Sequence, residues 1–215
     1  MTDAAARTAG RRPRGEVRDG LIKAGLELAR AGGPDAVVLR EAARTVGVVP
    51  NAAYRHFSDR EELLAAVCAA AMRELAARMA TEVGRIRGRY GDAAAAGRRL
   101  RAIGRAYLEF SDTEPGLFVT AFAVPQRHAY QRADDKTDRY PLPLDQLRAV
   151  LDELADAGVL PPRRRADAEY PIWATMHGLA VLTGQGPLRD VPAATRRHLE
   201  RVTQAFIEGA IRQSI

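Results

Sequence analysis

Arg40, Asn51, Tyr54, Arg55 and His56 fall close together in the chain and combine two guanidinium groups, an amide, a phenol and an imidazole. Such groups meet phosphates and base edges; an arginine in particular can give two hydrogen bonds to guanine O6 and N7. Any soluble helix face shows similar residues, so the set gains meaning only from the elements that carry it. Farther along, Trp173 and His177 stand four residues apart, which puts both on one helix face. Two readings stand for them: a core anchor beside a histidine bonded to nearby backbone, or two walls of a ligand cavity. Cys68 is the single cysteine, and His56, His128, His177 and His198 are scattered without a His-x-x-x-His pair. Neither a disulfide framework, a metal cluster nor an activated nucleophile with its base is legible. The expectation is therefore no enzyme, no metal and no cofactor.

The polar set must be positioned by two short helices. Leu39, Ala42, Ala43 and Val46 follow a helical period, and Gly47 sits where the backbone must pass through positive φ. Val48 is an apolar plug beneath the turn. Pro50 fits the first turn of a second helix, where its missing N–H has no partner to lose. Small Ala43 and Ala53 let the two helices approach, leaving Asn51, Ala52, Tyr54, Arg55 and His56 on the outer surface, with Phe57 turned to the core. This is the plan of a helix-turn-helix that lays its second helix in a DNA groove.

The run Leu39 to Leu63, which includes Tyr54-Arg-His-Phe57, resembles the DNA-binding domain of TetR-type (tetracycline-repressor) transcriptional regulators, and the resemblance spans about 50 residues, from the helix beginning near Arg18 to the apolar helix after Ser58. Downstream, Trp173-Ala-Thr-Met-His177-Gly178 is similar to the Trp-x-x-x-His-Gly signature of one C-terminal subgroup of that family. The resemblance implies that Arg40, Pro50, Asn51 and Ala52 face bases and that Tyr54 and His56 meet the DNA backbone. It also implies a homodimer on a palindromic operator, most often as a repressor released when a small molecule enters the C-terminal domain. Val38 and Val49 stand where family members commonly have Ser or Thr caps, and each lost cap costs about 1 kcal/mol.

The whole chain reads as all-α. Its 215 residues suffice for a small DNA-reading module and a larger helical domain, and the expected division is a basic arm over 1–14, a helix-turn-helix domain over 15–60, and a ligand-binding and dimerisation domain over 61–215. Net charge is +6, with the excess concentrated at the expected DNA-reading end, which favours a polyanionic partner. No signal-peptide core and no apolar run of about 18 residues is present, so no membrane association and a cytoplasmic location are expected.

Apolar periodicity marks further helices from Arg18 to Ala31, after a Ser58-to-Glu61 capping box, after Asp92, from Pro115 to Phe122, from Leu142 to Leu160, from Ala166 to Leu182 and from Ala193 to Ile211, with a loop over 124–140. Met72, Leu75, Met79, Ile103, Tyr107, Phe110, Phe118, Phe122 and Met176 fall on inward faces. With Trp173 and His177 they are either ordinary core or the lining of a pocket for a small, mainly apolar ligand. Ile172, Leu179, Val181, Leu199, Val202 and Phe206 give the last two helices more apolar surface than one chain is expected to expose. By resemblance these helices pair across a two-fold axis.

Overall fold

The computed structural model of the chain describes residues 14–123 and 140–212. The basic arm lies outside them except for Arg14, which opens the first helix, and the expected 124–140 loop lies outside them except for Tyr140. Among the described residues the chain is helical, without strands: α1 (Arg14–Gly32), α2 (Leu39–Val46), α3 (Pro50–Ala53), α4 (Arg60–Gly84), α5 (Ala93–Thr113), α6 (Pro115–Ala121), α7 (Pro143–Asp156), α8 (Glu169–Gly184) and α9 (Ala193–Arg212).

Local chemistry sets most boundaries. Gly47 is left-handed, with φ 75° and ψ 32°, and its N–H bonds back to α2 carbonyls as a C-terminal cap. Val38 and Val49 occupy the N-cap positions of α2 and α3 and supply no side-chain acceptor. Asp92 accepts from the backbone N–H groups of Ala94 and Ala95 and starts α5. The expected Ser58 and Glu61 capping box is displaced by one residue. Asp59 is the N-cap, accepting from Glu62 N–H at 2.8 Å, while the Glu62 carboxylate accepts from Ser58 N–H at 2.7 Å. Asp competes equally well with Ser for this position, and Glu62 lies three residues beyond it. The start of α8 is later than its apolar pattern suggests, because Asp167 takes a left-handed φ of 57° and interrupts the helix. Gly158, at φ 70°, likewise closes α7 early.

A continuous apolar core runs from Leu21 in α1 through α4 and α5 to Ile207 and Ile211 in α9. The long helix α4 belongs to both ends of it: Leu63, Leu64 and Val67 pack near α1, and Met72 and Met79 lie deeper in the helical bundle. At Gly25 of α1, a Cβ would fall 2.5 Å from Val67 Cγ2, so the two helices meet without room for a side chain. Another close approach joins α6 to α1. A Cβ on Gly116 would lie 2.3 Å from the Ala29 carbonyl oxygen and 2.7 Å from that of Arg30. Ion pairs fasten the same junction: Arg30 donates to Glu27, Glu74 and Glu114 at 2.7, 3.0 and 2.8 Å, and Arg78 reaches Glu114 at 3.3 Å.

A second ionic network ties α7 to α8. Arg148 donates to Asp145 and Glu169, at 3.0 and 2.9 Å, and Arg165 donates to Glu169 and Asp152, at 3.0 and 2.6 Å. Burial works against ionisation of Glu169, but hydrogen bonds from Arg148 and Arg165 outweigh it and hold its pKa below the ordinary carboxylate value. A lowered folded pKa means that the network stabilises the protein above the unfolded carboxylate value and loses that contribution as pH falls through the folded one. Glu169→Gln, which leaves Arg148 short of a buried partner, is expected to cost about 2 to 3 kcal/mol at neutral pH. Thermal melts of the two proteins should converge on acidification; a constant gap down to strongly acidic pH would refute this assignment.

Candidate DNA-binding face and ligand cavity

The two short helices hold their polar residues outward. Ala42, Ala43 and Ala53 are fully buried between α2 and α3, and Phe57 is fully buried beneath them with the Arg18 guanidinium 4.9 Å above its ring. Arg40, Pro50, Asn51 and Arg55 are exposed, Tyr54 is 45% exposed, and Ala52 and His56 are half-buried. The second helix is shorter than expected. After Ala53 it tightens, with Arg55 N–H bonded to Ala52 O and His56 N–H to Ala53 O, so Tyr54, Arg55 and His56 sit on a turn that extends α3. On α2, Glu41 is engaged by Arg44 at 2.7 Å. Among the described residues, no carboxylate forms a salt bridge with Arg40 or Arg55, which leaves their donors available to an anion.

Between α4, α5, α7, α8 and α9 lies a cavity of about 60 Å³. Seven of the residues expected to line a pocket meet there: Met72, Met79, Ile103, Tyr107, Phe122, Trp173 and Met176. Four do not reach it. Leu75 and Phe110 are fully buried on neighbouring faces of α4 and α5. Phe118 and His177 stand behind the wall, with Phe118 edge-on to Tyr107 at 5.5 Å and His177 4.7 Å from the Phe122 ring. The wall also includes residues that periodicity does not single out, among them Leu142, Pro143, Leu144 and Leu147 from the start of α7, Leu100 and Gly104 from α5, and Gln204 and Ile207 from α9. Ile172, expected at a dimer face, faces this cavity instead, because α8 turns it toward α7.

One polar chain supports the wall. Trp173 Nε1–H donates to Tyr107 Oη at 3.2 Å, and Tyr107 Oη lies 2.8 Å from His177 Nδ1. Burial pushes the Tyr107 phenol pKa up and the His177 imidazole pKa down, which favours the neutral form of each. Sequence spacing offers either a backbone partner or a cavity role for His177; the geometry gives it a side-chain partner across helices. Trp173 is half-buried and contributes to the cavity wall.

A sequence-family model described as bacterial regulatory proteins, tetR family, matches residues 21–67, and one described as tetracyclin repressor-like, C-terminal domain, matches residues 100–206. The chain belongs to the TetR family. No curated protein sequence matches it. Among solved structures, a protein of unknown function from Rhodococcus sp. RHA1 shares 20% identity at a TM-score of 0.66, with 96% of this chain and 100% of that one covered. A tetR-family transcriptional regulator from Streptomyces coelicolor gives 23% identity and a TM-score of 0.53, over 91% of this chain and 83% of that one. The TetR-family transcriptional regulator PfmR from Thermus thermophilus gives 20% and 0.52, over 92% and 97%. These likenesses show a shared fold.

Within this TetR-family regulator, the remaining residues expected at a dimer face divide by burial. Val181, Val202 and Phe206 are exposed, the last two at 51% and 68%, and Leu182 joins them at the surface. Leu199 is half-buried against the core, and Leu179 is buried as part of that core and is not available to a partner. No helix among the described residues is long and apolar enough to cross a membrane.

Proposed function

We propose that this TetR-family transcriptional regulator is a ligand-released repressor that binds a palindromic operator as a homodimer in the cytoplasm. The observation that carries the DNA reading is the face around Gly47: Arg40, Asn51, Tyr54 and Arg55 point outward from a buried alanine and phenylalanine base. Arg40, Pro50, Asn51 and Ala52 read bases, while Tyr54 and His56 grip the DNA backbone and Arg55 adds charge. The exposed Val181, Leu182, Val202 and Phe206 of α8 and α9 supply the apolar surface for a two-fold partner. The cavity is the effector site. Its wall includes Met72 and Met79 of α4, the helix that begins directly after the DNA-binding face, so displacement of α4 by a ligand shifts the two recognition helices relative to each other. The segment Trp173 to Gly178 supports placing the chain in the Trp-x-x-x-His-Gly subgroup.

Genomic fragments selected by the purified protein, then assayed by mobility shift at several salt concentrations, test this reading. Binding should weaken steeply with salt. Arg40→Ala is expected to cost about 1 to 3 kcal/mol and to relax preference at one base pair. Tyr54→Phe should weaken binding evenly across operators, because a phosphate contact carries no sequence information. Unchanged affinity in both variants at matched salt would remove this face from DNA recognition.

A further inference from the structure

The effector cavity has a definite chemical character. Among the described residues, no Lys, Arg, Asp, Glu or His lines it, and Tyr107 is its single titratable side chain. A charged molecule entering would lose its hydration without gaining a counter-ion from these lining residues. All three methionines beyond Met1, namely Met72, Met79 and Met176, line the wall. Their unbranched thioethers can change rotamer at small cost, so a cavity of about 60 Å³ can enlarge by side-chain movement for a larger occupant.

Tyr107 and the Gln204 amide are the polar groups through which the wall can recognise a ligand: Gln204 Nε2 donates to Glu208 at 3.5 Å, which leaves an acceptor oxygen there, and the hydrogen bonding of Tyr107 leaves another. The Trp173 indole can only donate, so its bond at 3.2 Å uses one lone pair of the phenol oxygen. If His177 also donated to that oxygen, the Tyr107 proton would be left without an acceptor in a side chain 3% exposed. Donation from Tyr107 to His177 Nδ1 avoids a buried unpaired donor and leaves one lone pair on the phenol oxygen. Gly104 lets Gln204 and Met176 close in on α5 beside the cavity: a Cβ there would lie 2.7 Å from Gln204 Oε1 and 3.1 Å from Met176 Cε, both at the ends of flexible side chains that would be pushed toward the cavity.

We propose that the cavity selects uncharged, predominantly apolar molecules carrying one hydrogen-bond donor, which Tyr107 receives on its remaining lone pair. This inference rests on the effector-site reading above and names the ligand class of that site.

Fluorescence titration of the full chain with 1-naphthol, 1-methoxynaphthalene and 1-naphthoate tests it. The three share an aromatic body and differ in offering a donor, only an acceptor, or a negative charge. In the unmodified protein, 1-naphthol is expected to bind about 5- to 10-fold more tightly than 1-methoxynaphthalene, and 1-naphthoate about 100-fold more weakly than 1-naphthol. The preference for naphthol over its methyl ether should vanish in Tyr107→Phe, and Gly104→Ala should weaken both uncharged probes alike. Equal binding of naphthoate and naphthol, loss of the naphthol preference in the unmodified protein, its retention in a folded Tyr107→Phe, or failure of all three probes to bind would each overturn the proposal. If Tyr107→Phe does not fold, the order of the three probes on the unmodified protein decides. A parallel mobility shift separates the two readings. Selective probe binding without any DNA binding would defeat the regulator reading and leave the ligand class standing, whereas DNA binding without probe selectivity would defeat the ligand class alone.

Discussion

Gly116→Ala is expected to lower the stability of the protein by about 3 kcal/mol, which for a chain of this size is a fall in Tm of about 10 °C. The cause is backbone against backbone. The added Cβ would lie 2.3 Å from Ala29 O and 2.7 Å from Arg30 O, and neither oxygen can swing aside as a side chain can. Relief requires α6 to move away from α1, which stretches the Arg30 and Arg78 bonds to Glu114 at the start of α6. Gly97→Ala is the control: it also lies within a helix, but its nearest outside neighbour is the Arg101 guanidinium at 3.9 Å. That change should be neutral or stabilising by up to about 1 kcal/mol through helix propensity. Thermal denaturation of both variants checks the pair, and equal Tm values would show that α6 is not held against α1 as tightly as the geometry requires.

The other large effect concerns the proposed dimer. Phe206 and Val202 lie one turn apart on α9, and both are more than half exposed in the single chain. Val202→Asp and Phe206→Asp together place two negative charges at the centre of the surface assigned to the partner, where they would lose water without gaining a cation. Light scattering should report a monomer for the double variant and a dimer for the unmodified protein. Operator affinity should then fall by about 100-fold or more, because each half-site must be engaged separately. Circular dichroism should stay unchanged, since neither residue belongs to the internal core. A stable dimer in the double variant would move the interface elsewhere.

Some of this architecture is written locally and can be read from the chain. Gly47 and Pro50 mark a turn because their backbone preferences act within a few residues, and Ala43, Ala53 and Phe57 reveal the buried side of the helix pair by size alone. The cavity is different. Periodicity shows that Leu75, Met79, Phe110 and Tyr107 turn inward, but only the packing of five helices determines that Met79 and Tyr107 meet empty space while Leu75 and Phe110 meet other side chains. Gln204 is missed for the same reason, since a lone amide on a mostly polar helix gives no sign that it closes a cavity wall. The displaced cap at Asp59 reflects a narrower ambiguity: adjacent Ser58 and Asp59 are both good caps, and spacing cannot separate them. Ile172 and Leu179 show the limit of apolar content as a guide to assembly, because an apolar residue on a terminal helix can face either its own chain or a second one.

The shared helix α4 also governs how the molecule comes apart. Leu63, Leu64 and Val67 complete the packing of the N-terminal helices, and Gly25 lies so close to Val67 that α1 cannot separate without opening a void. Several turns along, the same helix closes the opposite end of one continuous core. Melting α4 at either end would therefore strip contacts from the other, so unfolding is expected to be a single cooperative event, visible as agreement of the calorimetric and van't Hoff enthalpies. Severing the chain after residue 60 would not release a self-sufficient N-terminal module, because it would remove the side chains that fill that module's own interior.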